Sequence, residues 1–270
     1  MNTKYFTVKV KPLVPASEQN NGAYAAGDLL ADWFAFDMPK GGAALRSVTA
    51  IIRGNDGSAQ NQAHCNLSVF FANPKADGSA PGSLGTGHAT ANGTNYFNDI
   101  VGGVFCSKNG VVGAGNSLDR ITVLNSGEGS STGHYPHVIL EGRPHLTRDG
   151  YNTVYVGLVS GSSGTYNFSS GVINAGAVTA GATSLSVDDG SGGDASTGNV
   201  FNVGDILHSE TDDVIGEIET IGAHSGDTNV ATITIVSGTG GHTDGDSAAV
   251  ADNEELYNPH PITLILNFER

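Results

Sequence analysis

Apolar and polar residues alternate with period two along most of the chain, in short runs bounded by Gly, Pro, Asn and Asp. That alternation is the signature of half-buried β-strands, because successive side chains of a strand point to opposite faces. It predicts strands over Tyr5–Val10, Leu30–Phe36, Ser47–Arg53, Leu67–Ala72, Ile100–Cys106, Ile121–Leu124, Val138–Glu141 and Thr153–Val159. The most regular run comes last, in PITLILNFER, where Ile262, Leu264, Leu266 and Phe268 share one face and Thr263, Ile265 and Asn267 the other. A strand this regular is expected to pack into a sheet. Two stretches, Asn73–Asn98 and Asn125–Pro136, are small and polar and are expected to be loops that bury too little apolar surface to order themselves.

From about Ala175 the texture changes. Short strands expected at Thr183–Val187, at Asp205–Leu207 with its approach Val200–Val203, at Val214–Thr220 and at Val230–Val236 are separated by acidic, Gly-rich turns. Ser247–Asn258 is the one later stretch expected to form a short connecting helix. If the terminal strand returns to the sheet begun by the N-terminal strands, the chain divides into two units. One is a β-sandwich of residues 1–174 plus 256–270, and the other is an inserted acidic small β module of residues 175–255.

Composition narrows the class. With 39 Gly and 9 Pro in 270 residues, the longest stretch free of both is Ser58–Asn73, 16 residues. No bundle or coiled coil can be assembled from such pieces, and a transmembrane helix needs about 20 continuous apolar residues. The start, MNTKYFTVKVKPLVP, has no apolar run of secretory-signal type, so the mature chain is expected to begin near Met1.

The charge is unevenly spread. Residues 1–148 hold 11 Lys/Arg against 10 Asp/Glu, a net of +1, whereas residues 149–270 hold only Arg270 against 17 Asp/Glu, a net of −16; together they give the formal −15. Such a surface repels phosphates, which argues against nucleic acid and anionic membranes as partners.

Residues with possible chemistry are scattered. Asp188, Asp189 and Asp194 in DDGSGGDAS could offer oxygens to a hard cation, but the run lacks the Glu that closes an EF-hand loop, so a solvated turn is expected. His134, His137 and His145 have spacing compatible with zinc ligation, yet they sit in or beside a Gly/Ser loop containing Pro136 and Pro144, not on one helix face. Cys65 and Cys106 belong to no CxxC pair and read as two buried or half-buried thiols, and the adjacency of His64 to Cys65 is not how a catalytic pair meets. There is no GxSxG elbow, and Gly87 and Gly93 belong to no phosphate-binding GxGxxG or GxxxxGK[ST]. A carboxylate pair for glycoside hydrolysis usually comes with aromatic platforms for sugar rings, and Trp33 is the sole Trp, in an expected strand. The sequons at Asn66, Asn92 and Asn167 mean little without a secretion signal. The expectation is therefore no catalytic, metal or cofactor-binding residue and no enzymatic activity.

Four segments outside the insertion, taken in order, resemble a family. They are GAYAAGD (Gly22–Asp28) leading into a strand, LSVFFANP (Leu67–Pro74), VYVGLVSGSSGTYNF (Val154–Phe168), and the alternating strand Leu264–Phe268. This order resembles the jelly-roll capsid-associated proteins of tailed phages, the decoration or cement proteins encoded near the major capsid protein. The acidic module stands where that family has a short run to the C-terminus. The resemblance implies an all-β jelly roll that binds and stabilises the lattice of a major capsid protein. It also implies self-association, with a trimer as one option, assembly in the host cytoplasm and a place on the virion surface. A tail-fibre or receptor-binding module recognising host glycan is the alternative.

Overall fold

The computed structural model describes residues 4–19, 23–53, 66–87, 89–91, 99–107, 121–126, 138–164, 172–174, 176–188, 201–211, 213–222, 230–236 and 249–270. Among the described residues sixteen strands and one helical turn follow in order: β1 (Tyr5–Val10), α1 (Ala16–Gln19), β2 (Leu29–Pro39), β3 (Ala43–Arg53), β4 (Leu67–Ala72), β5 (Ile100–Ser107), β6 (Ile121–Ser126), β7 (Val138–Leu140) and β8 (Arg143–Pro144). They continue with β9 (Tyr151–Ser160), β10 (Val172–Asn174), β11 (Ser184–Asp188), β12 (Ile206–Ser209), β13 (Val214–Ile221), β14 (Val230–Ile235), β15 (Glu255–Tyr257) and β16 (Ile262–Glu269).

The architecture is all-β, as the alternation demanded. Ten strands form a jelly-roll-like sandwich sheet in the order β1-β16-β3-β6-β5-β4-β9-β2, with β7 added on β3 and β8 on β9. Every pairing in it is antiparallel. The remaining six strands close into a barrel, β10-β11-β14-β13-β12-β15, inserted before the last strand of the large sheet. β16 explains why the sheet holds together over so long a separation in sequence. Its residues Ile262, Leu264, Leu266 and Phe268 are at most 1% exposed, and it lies between β1 and β3, joining the two ends of the chain.

Each part has its own core. The sheet encloses one cluster running from Val10 to Phe268 that contains no residue between Leu158 and Ile262. The barrel encloses another, including Leu185, Phe201, Leu207, Ile218, Ile233 and Leu256.

The expectation of a helix within Ser247–Asn258 is overturned. Residues 255–257 form β15, which pairs β10 on one side and β12 on the other, and Ala251–Glu254 is a turn with Asn253 at φ +62°. Backbone partners on both flanks outweigh a weak local helical preference. β8 and β10 also lie outside the predicted strands, being too short to display a period. Gly142, between β7 and β8, is needed at φ +68°: a Cβ there would lie 2.6 Å from the Thr153 carbonyl oxygen.

The chain passes between the two parts through a bonded strap. Gln19, at the end of α1, donates its side-chain amide to the carbonyls of Val14 and Asn258, both at 2.8 Å, and the Val14 N–H donates to Pro259 O at 2.8 Å. The segment after β1 and the segment before β16 are thereby tied where the barrel rejoins the sheet.

Candidate interaction surface

The strand order leaves β1 and β2 as the two ends of the large sheet, and both line one open groove of about 450 Å³. Val8 to Lys11 come from β1 and its extension, Phe34 to Asp37 from β2, and Arg148 and His260 close the ends. Period two sorts them. Val10 and Phe36 belong to the main core, with Val8 and Phe34 packed against it, whereas Lys9, Lys11 and Ala35 are exposed.

Around Asp37 the polar side chains are organised. Arg148 forms an ion pair with it, and His145 Nε2 stands 3.5 Å from Asp37 Oδ1. His145 Nδ1 accepts the backbone N–H groups of Thr147 and Arg148, each at 3.0 Å, which fixes the tautomer with the proton on Nε2, facing Asp37. The Arg148 guanidinium lies 4.2 Å from the centre of the Tyr151 ring, a cation–π contact that holds it over the groove's rim.

On the opposite side His260 is held by its neighbours, among them the Lys11 backbone. Its N–H donates to Asn258 Oδ1 at 2.8 Å, its Nδ1 lies 3.1 Å from Pro12 O, and its ring meets Phe34 edge-on at 6.4 Å. Burial lowers its pKa below the ordinary 6.5, against the opposing pull of the Pro12 carbonyl on the charged form. A histidine whose folded pKa is depressed binds its proton more readily in the unfolded chain, so folding stability is lost as pH falls through and below 6.5. The urea midpoint is therefore expected to be lower at about pH 5 than at about pH 7.5, and His260→Asn should narrow that difference. An unchanged difference in the variant would assign the pH dependence to other groups.

The residues singled out by sequence fall as follows. His145 is described, with Nδ1 accepting two backbone N–H groups and Nε2 facing Asp37; His134 and His137 lie outside the described residues. Among the described residues no group of three His, Cys, Asp or Glu could hold a metal ion. The side chain of Asp188, with Asp189 and Asp194, also lies outside them, as do His64, Cys65, Asn92, Gly93 and Asn167. Cys106 is fully buried in β5, where burial pushes its thiol up to about 12, a form inert at neutral pH. The backbone of Asn66 is spent on the sheet, its N–H donating to Ser162 Oγ at 3.0 Å and its carbonyl accepting from Gly161 at 2.8 Å. Trp33 packs in β2 beside Leu84 and Gly157, in a small satellite cluster. No described helix is long and apolar enough to cross a membrane.

The groove itself has no motif in the sequence. The one trace is the pair Lys9 and Lys11 alternating with Val8 and Val10, since lysine is a residue that sheet edges use against unwanted pairing.

No family model and no curated protein matches the chain. Among solved structures, it is similar to a chain in the structure of the infectious bursal disease virus Gx strain, at 10% identity and a TM-score of 0.22. That alignment covers all of this chain, which spans 41% of the length of the other. The fold assignment rests on the strand topology described above.

Proposed function

We propose that the protein is a non-enzymatic structural component of a phage virion. In this reading it is a decoration or cement protein that binds the major capsid protein lattice from outside and associates with further copies of itself. One observation carries the reading: segments that resemble the capsid-associated family assemble into one bonded corner. Tyr24 and Gly164 exchange both backbone hydrogen bonds, at 2.8 and 3.0 Å, the Gly27 N–H donates to Ser160 O, and the Ser160 N–H donates to Asp28 O. Asp28 Oδ2 then accepts the Ala25 N–H at 2.6 Å and fixes the turn. GAYAAGD is thus welded to VSGSSG, while β4, β9 and β2, which carry or adjoin three of the four segments, are neighbours in the sheet.

The charge distribution fits the same role. Residues 172–257 hold 15 of the 27 Asp/Glu and none of the 12 Lys/Arg, so the large sheet with its loops is left with 12 of each and no net charge. A neutral unit can approach a lattice without long-range repulsion, and an acidic barrel turned to solvent keeps particles apart.

Co-sedimentation of the full chain with particles assembled from its major capsid protein, at two salt concentrations, tests the proposal. Saturable binding at a fixed ratio per capsomer is expected, with affinity little changed by salt because the docking unit is neutral. Absence of binding would overturn the reading, and binding to host polysaccharide instead would assign the protein to receptor recognition.

A further inference from the structure

The groove between β1 and β2 is bounded on both sides by backbone that has no neighbouring strand among the described residues, and bonding parity identifies the groups. Lys4 and Arg270 exchange both backbone hydrogen bonds, at 3.0 and 2.9 Å. Alternation along the register therefore turns the N–H and C=O of Phe6, Val8 and Val10 toward β16, and those of Thr7, Lys9 and Lys11 away from it. In β2 the Lys40 N–H donates to Gly150 O at 2.8 Å. Counting back along the β2–β9 register turns Met38, Phe36 and Phe34 toward β9, and Asp37 and Ala35 toward the open side. Lys9, Ala35 and Asp37 thus present main-chain donors and acceptors, and Lys11 its N–H, with no strand beside them among the described residues, the Lys11 carbonyl being met by the His260 ring.

We propose that this groove receives one extended strand of a partner polypeptide whose side chains alternate between apolar and acidic. The main-chain groups on either side supply the ladder, as in other complexes where a peptide completes a sheet. Because all pairings along the path are antiparallel and the path has eight members, a strand inserted between its ends runs antiparallel to one edge and parallel to the other. Val8, Val10, Phe34 and Phe36 form the floor and take the apolar side chains, while Lys9 and Lys11 stand at the rim and take the acidic ones, the charge of Arg148 being already met by Asp37. From strand rise, strand spacing and sheet thickness a strand residue fills about 160 Å³. The 450 Å³ of the groove then seats about three residues of the partner, with its flanks lying outside.

Charge selects this occupant over a second copy of the chain. Antiparallel pairing of β1 with β1 of another molecule would set lysines opposite lysines, which is unfavourable for cross-strand pairs. An acidic strand meets the same lysines as partners. The inference stands apart from the virion reading, since it specifies the chemistry of the partner and not the particle that carries it.

The test uses the full chain and a capped, fluorescein-labelled heptapeptide alternating Val and Glu, followed by anisotropy, with its Val/Lys counterpart as comparison. Saturable binding of the Glu peptide is expected, and Lys9→Glu combined with Lys11→Glu should weaken it about tenfold, whereas Lys75→Glu, on an exposed turn elsewhere, should leave it unchanged. In amide exchange followed by NMR, the N–H groups of Lys9, Lys11, Ala35 and Asp37 should exchange fast in the free protein and slow on adding the Glu peptide. The proposal is overturned if neither peptide binds, if both bind alike, or if the double variant binds as tightly as the wild type. It is also overturned if those four amides are already protected in the free protein in a concentration-dependent way, which would make a second copy the occupant.

Discussion

Leu266→Asp is expected to leave the large sheet without a cooperative melting transition at room temperature or above. Leu266 is 0% exposed and sits in the middle of β16, opposite Val8 of β1 and Val48 of β3. Removing a buried leucine side chain costs about 2–5 kcal/mol through lost transfer and an unfilled cavity. The new carboxyl adds several more, because it must be buried charged and unpaired or take up a proton at a pH where it would otherwise be ionised. Together these reach the roughly 5–15 kcal/mol that holds an ordinary domain folded. Ile265→Asp on the same strand is the control. Ile265 lies on the opposite, half-buried face, with Lys9 as its cross-strand partner on β1, so its replacement should lower the melting temperature far less. The circular dichroism of both variants through a thermal scan, with Trp33 emission as a second probe, separates the two effects. A Leu266→Asp protein that melts with the wild type would refute the burial of that face.

What could be read in advance is what local alternation records. Tyr5–Val10 and Leu67–Ala72 match the expected bounds, and β16 shows the expected division of faces without exception. These strands have one apolar face in a core and one face outside, so their sequence carries the period. β2 is longer than expected, by Leu29 at its start and by Asp37–Pro39 at its end, where regular pairing with β9 carries it on, and two irregularities in that pairing, between Leu29 and Ala31 and between Ala31 and Phe34, break the alternation near its start. β10 and β15 are three residues each and hold their places through partners on both sides, not through their own pattern.

The groove was illegible for a different reason. Nothing within Val8–Lys11 or Phe34–Asp37 says that these two strands end the sheet or that the two ends meet. That follows from the order of all eight strands along the path, a property of topology that pairwise alternation does not encode. The lysines of β1 were visible as charges but acquired meaning only once β1 was seen to be an edge. Likewise the His145–Asp37–Arg148 arrangement joins residues from β2 and from the turn after β8, more than a hundred positions apart in sequence.

Removing residues 172–257 and joining the flanks by a short Gly/Ser linker is expected to leave a folded large sheet whose formal net charge changes from −15 to 0. The geometry permits the excision, because the first and last barrel strands are neighbours: Val172 and Leu256 are directly opposed in the β10–β15 pair. Opposed residues of an antiparallel pair have Cα atoms about 4.5–5.5 Å apart, a gap that a few residues bridge without strain. The energetics permit it as well, since no residue of the barrel's core belongs to the core of the sheet. The Gln19 contacts with Val14 and Asn258 lie outside the excised segment, so the strap that seats β16 is kept. All 15 acidic residues of the excised segment leave with it, so the product should pass an anion exchanger that retains the full chain, and it should be less soluble near neutral pH. Its near-ultraviolet circular dichroism and cooperative melting should persist. An expanded product that binds hydrophobic dyes and has lost tertiary dichroism would mean that the two cores fold as one. If the excised protein folds and still co-sediments with capsid particles at the stoichiometry of the full chain, docking belongs to the neutral sheet. If it folds and no longer does so, the barrel is the docking element, and its concentrated negative charge must then meet a basic surface on the lattice.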